Sequence, residues 1–173
     1  MRVLVAGVGN VLRSDDGFGV AVARRLADIE LPEGVRVVET GIAGIALVHE
    51  LGDGFDALVV ADAVDRGRPP GTIMIIEPEV VDVNDLSLTE RHDLLADIHL
   101  ATPERAFVMA RALGILPPQV ILVGCQPVDA NTPGEGLSAP VVAAISVAVE
   151  EICRQVHLLA GTGGSAVAEP VGP

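Results

Sequence analysis

Two adjacent aspartates, Asp15 and Asp16, sit in the stretch GVGNVLRSDDGFG (7–19), directly after the apolar run 3–6. A second pair, Asp62 and Asp65, closes another apolar run in VADAVD (60–65). His99 stands three residues before Thr102-Pro103-Glu104, which reads as a helix start. Carboxylates and an imidazole are donor types that together take a divalent cation. Carboxylates at the end of a buried strand are costly to desolvate unless a cation or hydrogen-bond donors meet them. Each residue also has a plainer role. Asp15 or Asp16 would serve as a first-turn acid of the next helix, Asp62 as a turn residue, and His99 as a surface or capping histidine. His92, in the loop-like Arg91-His92-Asp93, is the rival imidazole, while His49 and His157 have no supporting context. Residue type and position alone do not separate Asp15 from Asp16.

The elements that must position these groups follow from periodicity. Strand-like runs at 2–6, 35–39, 56–61, 72–76 and 120–123 alternate with helical stretches at 16–28, 44–51, 102–113 and 138–156. This alternation predicts a three-layer α/β/α sandwich with a mostly parallel sheet of about five strands. The run at 56–61 is apolar enough to be buried on both faces. The run at 72–76, reached through Pro69-Pro70-Gly71, is a candidate antiparallel strand. In such sheets ligands bind at the carboxyl ends of strands, near a reversal of strand order. Asp15, Asp16, Asp62 and Asp65 all fall at such ends. One domain is expected over 1–157, with 158–173, rich in Gly, Ala, Pro, Ser and Thr, a disordered tail. The acidic stretch 78–98 reads as a loop.

Composition removes several function classes. The net charge is −13, and all eleven cationic residues are arginine. Nucleic-acid binding needs clustered cations, so it is not expected. No apolar run reaches the length of a membrane span, and the N-terminal one is too short for a signal peptide. Cys125 and Cys153 have no metal-binding spacing and are expected to pack as small apolar groups. A cytoplasmic protein is the simplest expectation.

Familiar loop motifs fail on inspection. A dinucleotide fingerprint starting at Gly7 needs glycine at position 12, which is Leu12. A phosphate-binding P-loop needs a lysine, and the chain has none. No G-x-S-x-G elbow and no H-E-x-x-H are present. Two alternatives remain: a receiver-like metal- or phosphate-responsive switch, and a small-molecule hydrolase on a similar scaffold. The first wants a lysine after the fifth strand, where the chain reads Val123-Gly124-Cys125-Gln126-Pro127. The second wants a cationic pocket.

Taken in order, the motifs resemble the hydrogenase maturation endopeptidases, which process the large subunit of nickel–iron hydrogenases. The resemblance is carried by GVGNVL followed by DDGFG (7–19), by DAVD (62–65), and by Asp97-Ile98-His99 with the helix ending ARALG (110–114). VGCQP (123–127) and GLS (136–138) complete it, so that it covers about 1–156. It implies that Asp16, Asp62 and His99 are the metal-contacting and catalytic residues. It further implies that the substrate is the large-subunit precursor, losing a short C-terminal peptide, and that nickel arrives with that precursor. The loop Glu39-Thr40-Gly41-Ile42-Ala43-Gly44 is similar to the family's Asp-x-Gly-Thr-x-Gly, with Glu39 and Ile42 as departures. On that likeness Gly41 and Gly44 are expected to bind substrate.

Overall fold

The computed structural model describes residues 1–42, 44–87, 89 and 102–162. Five strands form one sheet: β1 (Val3–Val8), β2 (Val35–Gly41), β3 (Ala57–Ala63), β4 (Ile73–Ile76) and β5 (Gln119–Cys125). Their order is β2-β1-β3-β5-β4, with β4 alone antiparallel. The central strands β1 and β3 are buried almost throughout, which matches their unbroken apolar runs.

Helices cover both faces. On one face, α1 (Phe18–Leu26) and α4 (Ala139–Thr162) pack Phe18, Val22, Ile152 and Val156 against Val3, Val5 and Val59. On the other, α2 (Ile45–Leu51) and α3 (Pro103–Ala112) pack Leu47, Leu51 and Phe107 against Leu4, Leu58 and Leu122. The alternating side chains of each central strand feed the two cores in turn. The three-layer sandwich expected from the periodicity is the architecture observed.

Three local expectations are corrected. The first helix does not begin at Asp16. Residues Ser14–Gly17 form a 3-10 turn, Gly17 occupies the N-cap of α1, and neither aspartate caps that helix. The final helix does not stop near Val156 but continues to Thr162. Ile152, Val156 and Leu159 repeat at helical spacing, and all three are buried in the core, so the expected tail at 158–173 starts too early. Thr102 sits at the N-cap of α3 with Pro103 in the first turn, as expected, although its hydroxyl makes no capping bond. Of the acidic stretch 78–98, residues Val83–Asp85 form a short 3-10 turn, closed by the Asp82 carboxylate accepting from the Asn84 N–H.

Glycines allow the turn after β1 to lie flat against the sheet. A Cβ on Gly19 would meet the Ala61 carbonyl oxygen at 2.0 Å and the Val8 carbonyl oxygen at 2.3 Å. A Cβ on Gly9, whose φ is +134°, would meet the Asp16 carbonyl oxygen at 1.7 Å. Only glycine permits these approaches.

Asp15 ties the turn to the far end of the chain. It is fully buried, and its Oδ1 accepts from the Ser138 N–H at 2.6 Å. Its Oδ2 accepts from the Val128 N–H at 2.8 Å, the Ser138 hydroxyl at 2.9 Å and the Asp129 N–H at 3.3 Å. Burial alone would raise its pKa, but these donors outweigh burial and hold it below 3.8.

Two outcomes follow for stability. Gly19→Ala should fail to fold or lose several degrees of Tm in a thermal melt, because its obstacles are backbone carbonyls. Asp15→Asn turns one acceptor oxygen into a donor facing N–H groups, so it should cost about 1–3 kcal/mol in urea unfolding. Because the folded pKa of Asp15 lies below the unfolded one, its contribution is complete above pH 3.8 and is lost as pH falls through the folded value. The wild-type advantage over Asp15→Asn should therefore shrink in strong acid.

Candidate functional site

From β1 the chain crosses to β2 on one side, then returns past β1 to β3 on the other. The reversal leaves a crevice beyond the carboxyl ends of β1 and β3, where open α/β sheets bind ligands. A cleft of about 320 Å³ occupies this position. Its walls include Asp16, Ile42, Asp62, Arg66 and Glu104.

The 3-10 turn delivers Asp16. Its Oδ2 accepts from the Asn10 N–H at 2.8 Å, which sets the carboxylate over the end of β1. Asp62 comes from β3 itself, paired in register with Gly124 of β5, and is only 8% exposed. Burial pushes the Asp62 carboxyl well above the usual carboxylate range; the charge of Asp16 adds to this, and that of Glu104 adds less. The Ala63 N–H, donating to Asp62, opposes the shift without overcoming it. Asp16 and Asp62 thus face one another electrostatically, in a cleft whose acids disfavour further negative charge and favour a cation.

The geometry separates the first acidic pair. Asp15 is spent on four internal hydrogen bonds and does not line the cleft; Asp16 does. It also places Asp65, which stands at the cleft rim. Asp65 Oδ1 accepts from the Gly67 N–H at 3.0 Å and from Gln126 Nε2 at 2.8 Å. These two donors hold its pKa below 3.8. His99 and His92 lie outside the described residues. His49, in the last turn of α2, and His157, in α4, do not line the cleft. Among the described residues no three His, Cys, Asp or Glu side chains converge as a metal-holding group.

Gly41 and Gly44 do not line the cleft, whereas Ile42 between them does and is 59% exposed. The Gly41 carbonyl accepts from the Gly9 N–H at 2.8 Å, joining the ends of β2 and β1. Gly44 is the N-cap of α2 with φ +108°, and its carbonyl accepts from the Val48 N–H. Both glycines shape the loop that presents Ile42. Cys125 is buried, and burial together with the Asp15 charge lifts its thiol pKa to about 11. That agrees with packing rather than nucleophilic chemistry.

Three residues of the site escaped the sequence reading. Glu104 was visible only as a first-turn acid of α3, yet its charge reaches Asp62. Arg66, which carries no motif of its own in the sequence, is the sole cationic residue among the described residues lining the cleft. Gln126, 5% exposed, organises the loop carrying Arg66. Its place directly after β5, at the carboxyl edge of the sheet, was the available signal.

Comparison with known proteins agrees with the α/β architecture. The sequence profile of the hydrogenase maturation protease family matches residues 20–155. The chain is 35% identical over 157 residues to the hydrogenase expression/formation protein HupD of Rhodobacter capsulatus, covering 90% of this chain and 71% of that one. It is 35% identical over 155 residues to the hydrogenase 2 maturation protease of Escherichia coli, covering 88% of each. The solved structure of the hydrogenase maturating endopeptidase HybD from E. coli superimposes with a TM-score of 0.70 at 30% identity, covering 92% of this chain and 94% of that one. The chain therefore belongs to the hydrogenase maturation protease family and is a peptidase of that family.

Proposed function

We propose that this peptidase removes a C-terminal peptide from the precursor of a nickel–iron hydrogenase large subunit, and that Asp16 and Asp62 recognise nickel carried by that precursor. The observation that carries the reading is the pairing of Asp16 with the buried Asp62 on one cleft at the strand-order reversal. Family membership supplies the substrate class. The receiver-like reading and the small-molecule hydrolase reading give way to it. In place of the lysine a receiver needs, β5 is followed by Gln126, and the cleft is acidic where a phosphate pocket would be cationic.

On this proposal nickel is part of the substrate. The described residues of the proposed set, Asp16 and Asp62, make no complete cage, so the remaining ligands come from the precursor and from His99, the third member of that set. An incomplete donor set suits a site that must engage another protein's metal without stripping it from the medium. A divalent cation so held polarises a carbonyl or lowers the pKa of a bound water. The chain's own part is to hold Asp16 in place through the Asn10 N–H, to keep Asp62 desolvated on β3, and to present Gly41 and Gly44 as the backbone of the loop that meets substrate. Among the described residues no helix is long and apolar enough to cross a membrane, and both cysteines are free. We place the reaction in the cytoplasm.

Asp16→Asn and Asp62→Asn should each reduce release of the C-terminal peptide by at least a hundredfold, followed by mass spectrometry of nickel-loaded precursor. Each variant should remain folded by circular dichroism. His99→Ala should behave likewise; normal cleavage by His99→Ala with loss in His92→Ala would exchange the histidine and leave the two aspartates in place.

Without metal, Asp62→Asn should also be the more stable protein at neutral pH. The folded pKa of Asp62 lies above the unfolded 3.8, so its charge opposes folding once pH rises past that value. The stability difference between wild type and Asp62→Asn should open as pH rises from 4 and level off above the folded pKa. Equal Tm values from pH 4 to pH 8 would contradict the burial argument.

A further inference from the structure

The loop between β3 and β4 leaves the site at Asp62 and passes Val64, Asp65, Arg66, Gly67 and Arg68 before the turn at 69–72. Its exposure and two glycines would suit a loose connection, but the end of β5 grips it closely. The Val64 N–H donates to the Cys125 carbonyl at 2.8 Å, the Gly71 N–H to the Gln126 carbonyl at 2.8 Å, and the Gln126 N–H to the Thr72 carbonyl at 2.9 Å. The Gln126 side chain fills the space between these anchors. Its Oε1 accepts from the Arg66 N–H at 2.8 Å and the Arg68 N–H at 3.1 Å. Its Nε2 donates to Asp65 Oδ1 at 2.8 Å and to the Pro127 carbonyl at 3.3 Å. The buried carboxamide thus uses both acceptor sites and both donors on one loop and its anchor.

This arrangement fixes the Arg66 backbone at the cleft wall. Gln126 itself does not line the cleft. Arg66 is exposed, and among the described residues no carboxylate pairs with its guanidinium. Arg24, Arg36 and Arg154, by contrast, all hold acidic partners away from the cleft. A planar guanidinium on a fixed stretch of backbone beside a cleft, without an internal carboxylate, can take one from outside by a two-pronged pair of N–H···O bonds.

We propose that Arg66 binds a carboxylate of the precursor chain, and that Gln126 is the positioning residue that holds Arg66 for it. The proposal rests on the peptidase reading above, because the ligand is the precursor. The carboxylate comes either from an acidic side chain near the cut or from the terminus of the segment removed.

The test measures binding of purified precursor by calorimetry alongside cleavage kinetics. Arg66→Ala should weaken precursor binding about tenfold and raise KM similarly, with kcat within twofold of wild type; Arg66→Lys should recover part of the loss. Gln126→Glu keeps the acceptor for the Arg66 and Arg68 N–H groups but sets a carboxylate against Asp65. It should weaken binding as Arg66→Ala does, and the double variant Arg66→Ala/Gln126→Glu should be no weaker than Arg66→Ala alone. Adding Asp65→Asn to Gln126→Glu restores a donor–acceptor pair and should restore binding.

A precursor with an amidated C-terminus, and one with its acidic residues near the cut changed to amides, identify the source: the carboxylate whose loss makes wild type and Arg66→Ala bind alike is the ligand. Unchanged binding and KM in Arg66→Ala would overturn the proposal, as would additive losses in the double variant. If Gln126→Glu does not fold, Arg66→Ala decides alone. Wild-type protein that binds precursor through Arg66 without cleaving it would sink the proposed function and leave this inference standing. Wild-type protein that neither binds nor cleaves it would overturn both.

Discussion

The Ala61 and Val8 carbonyl oxygens lie where a side chain on residue 19 would have to begin. That contact forces the turn after β1 down onto the sheet, and much of the site depends on it. With Gly19 against both central strands and Gly9 against the Asp16 carbonyl, the turn has no room to lift. Asp16 is thereby held beside β3, where Asp62 is buried one residue past the contact. Two carboxylates brought this close repel, and burial of Asp62 adds to the cost. The fold absorbs that cost through its apolar cores and through Asp15, whose carboxylate is fully bonded. Two buried residues of one type therefore have opposite energetics: Asp15 stabilises the fold and Asp62 strains it.

The same division extends across the carboxyl edge of the sheet. Asp15 gathers the backbone donors at Val128, Asp129 and Ser138, so that the segment following β5 and the start of α4 are pinned to the β1 turn. Gln126 gathers the donors of the β3–β4 loop. Two buried polar side chains, both fully satisfied, thus fix the loops on either side of the cleft, as buried polar groups must be satisfied to be tolerated. The charged groups left facing the cleft, Asp16, Asp62, Glu104 and Arg66, are those whose chemistry is incomplete without a visitor.

Much of this was legible in the sequence. The apolar runs gave every described strand, and the unbroken character of 56–61 marked β3 as central. The antiparallel strand after Pro69-Pro70-Gly71 was legible from its turn. The end of α4 was misjudged because the small residues of the tail outweighed Leu159, which continues the spacing of Ile152 and Val156. The division of labour between Asp15 and Asp16 was not legible from residue type, since the donors that satisfy Asp15 lie 113 to 123 residues away. Gln126 and Arg66 escaped for the same reason: their meaning is a contact between β5 and a loop some 60 residues earlier. Local patterns report burial and periodicity well; pairings made by the fold appear only once the sheet is assembled.

The central claim is that Asp16 and Asp62 act through a cation that belongs to the substrate. The most direct measurement mixes wild-type protein with one precursor prepared in two states, nickel-loaded and rigorously nickel-free, and follows the released peptide by mass spectrometry. The account predicts release from the loaded precursor and essentially none from the nickel-free one, with activity returning when nickel is inserted before mixing. Equal release from both would contradict it, and would assign the buried Asp62 and its neighbour Asp16 to metal-free general acid–base catalysis instead.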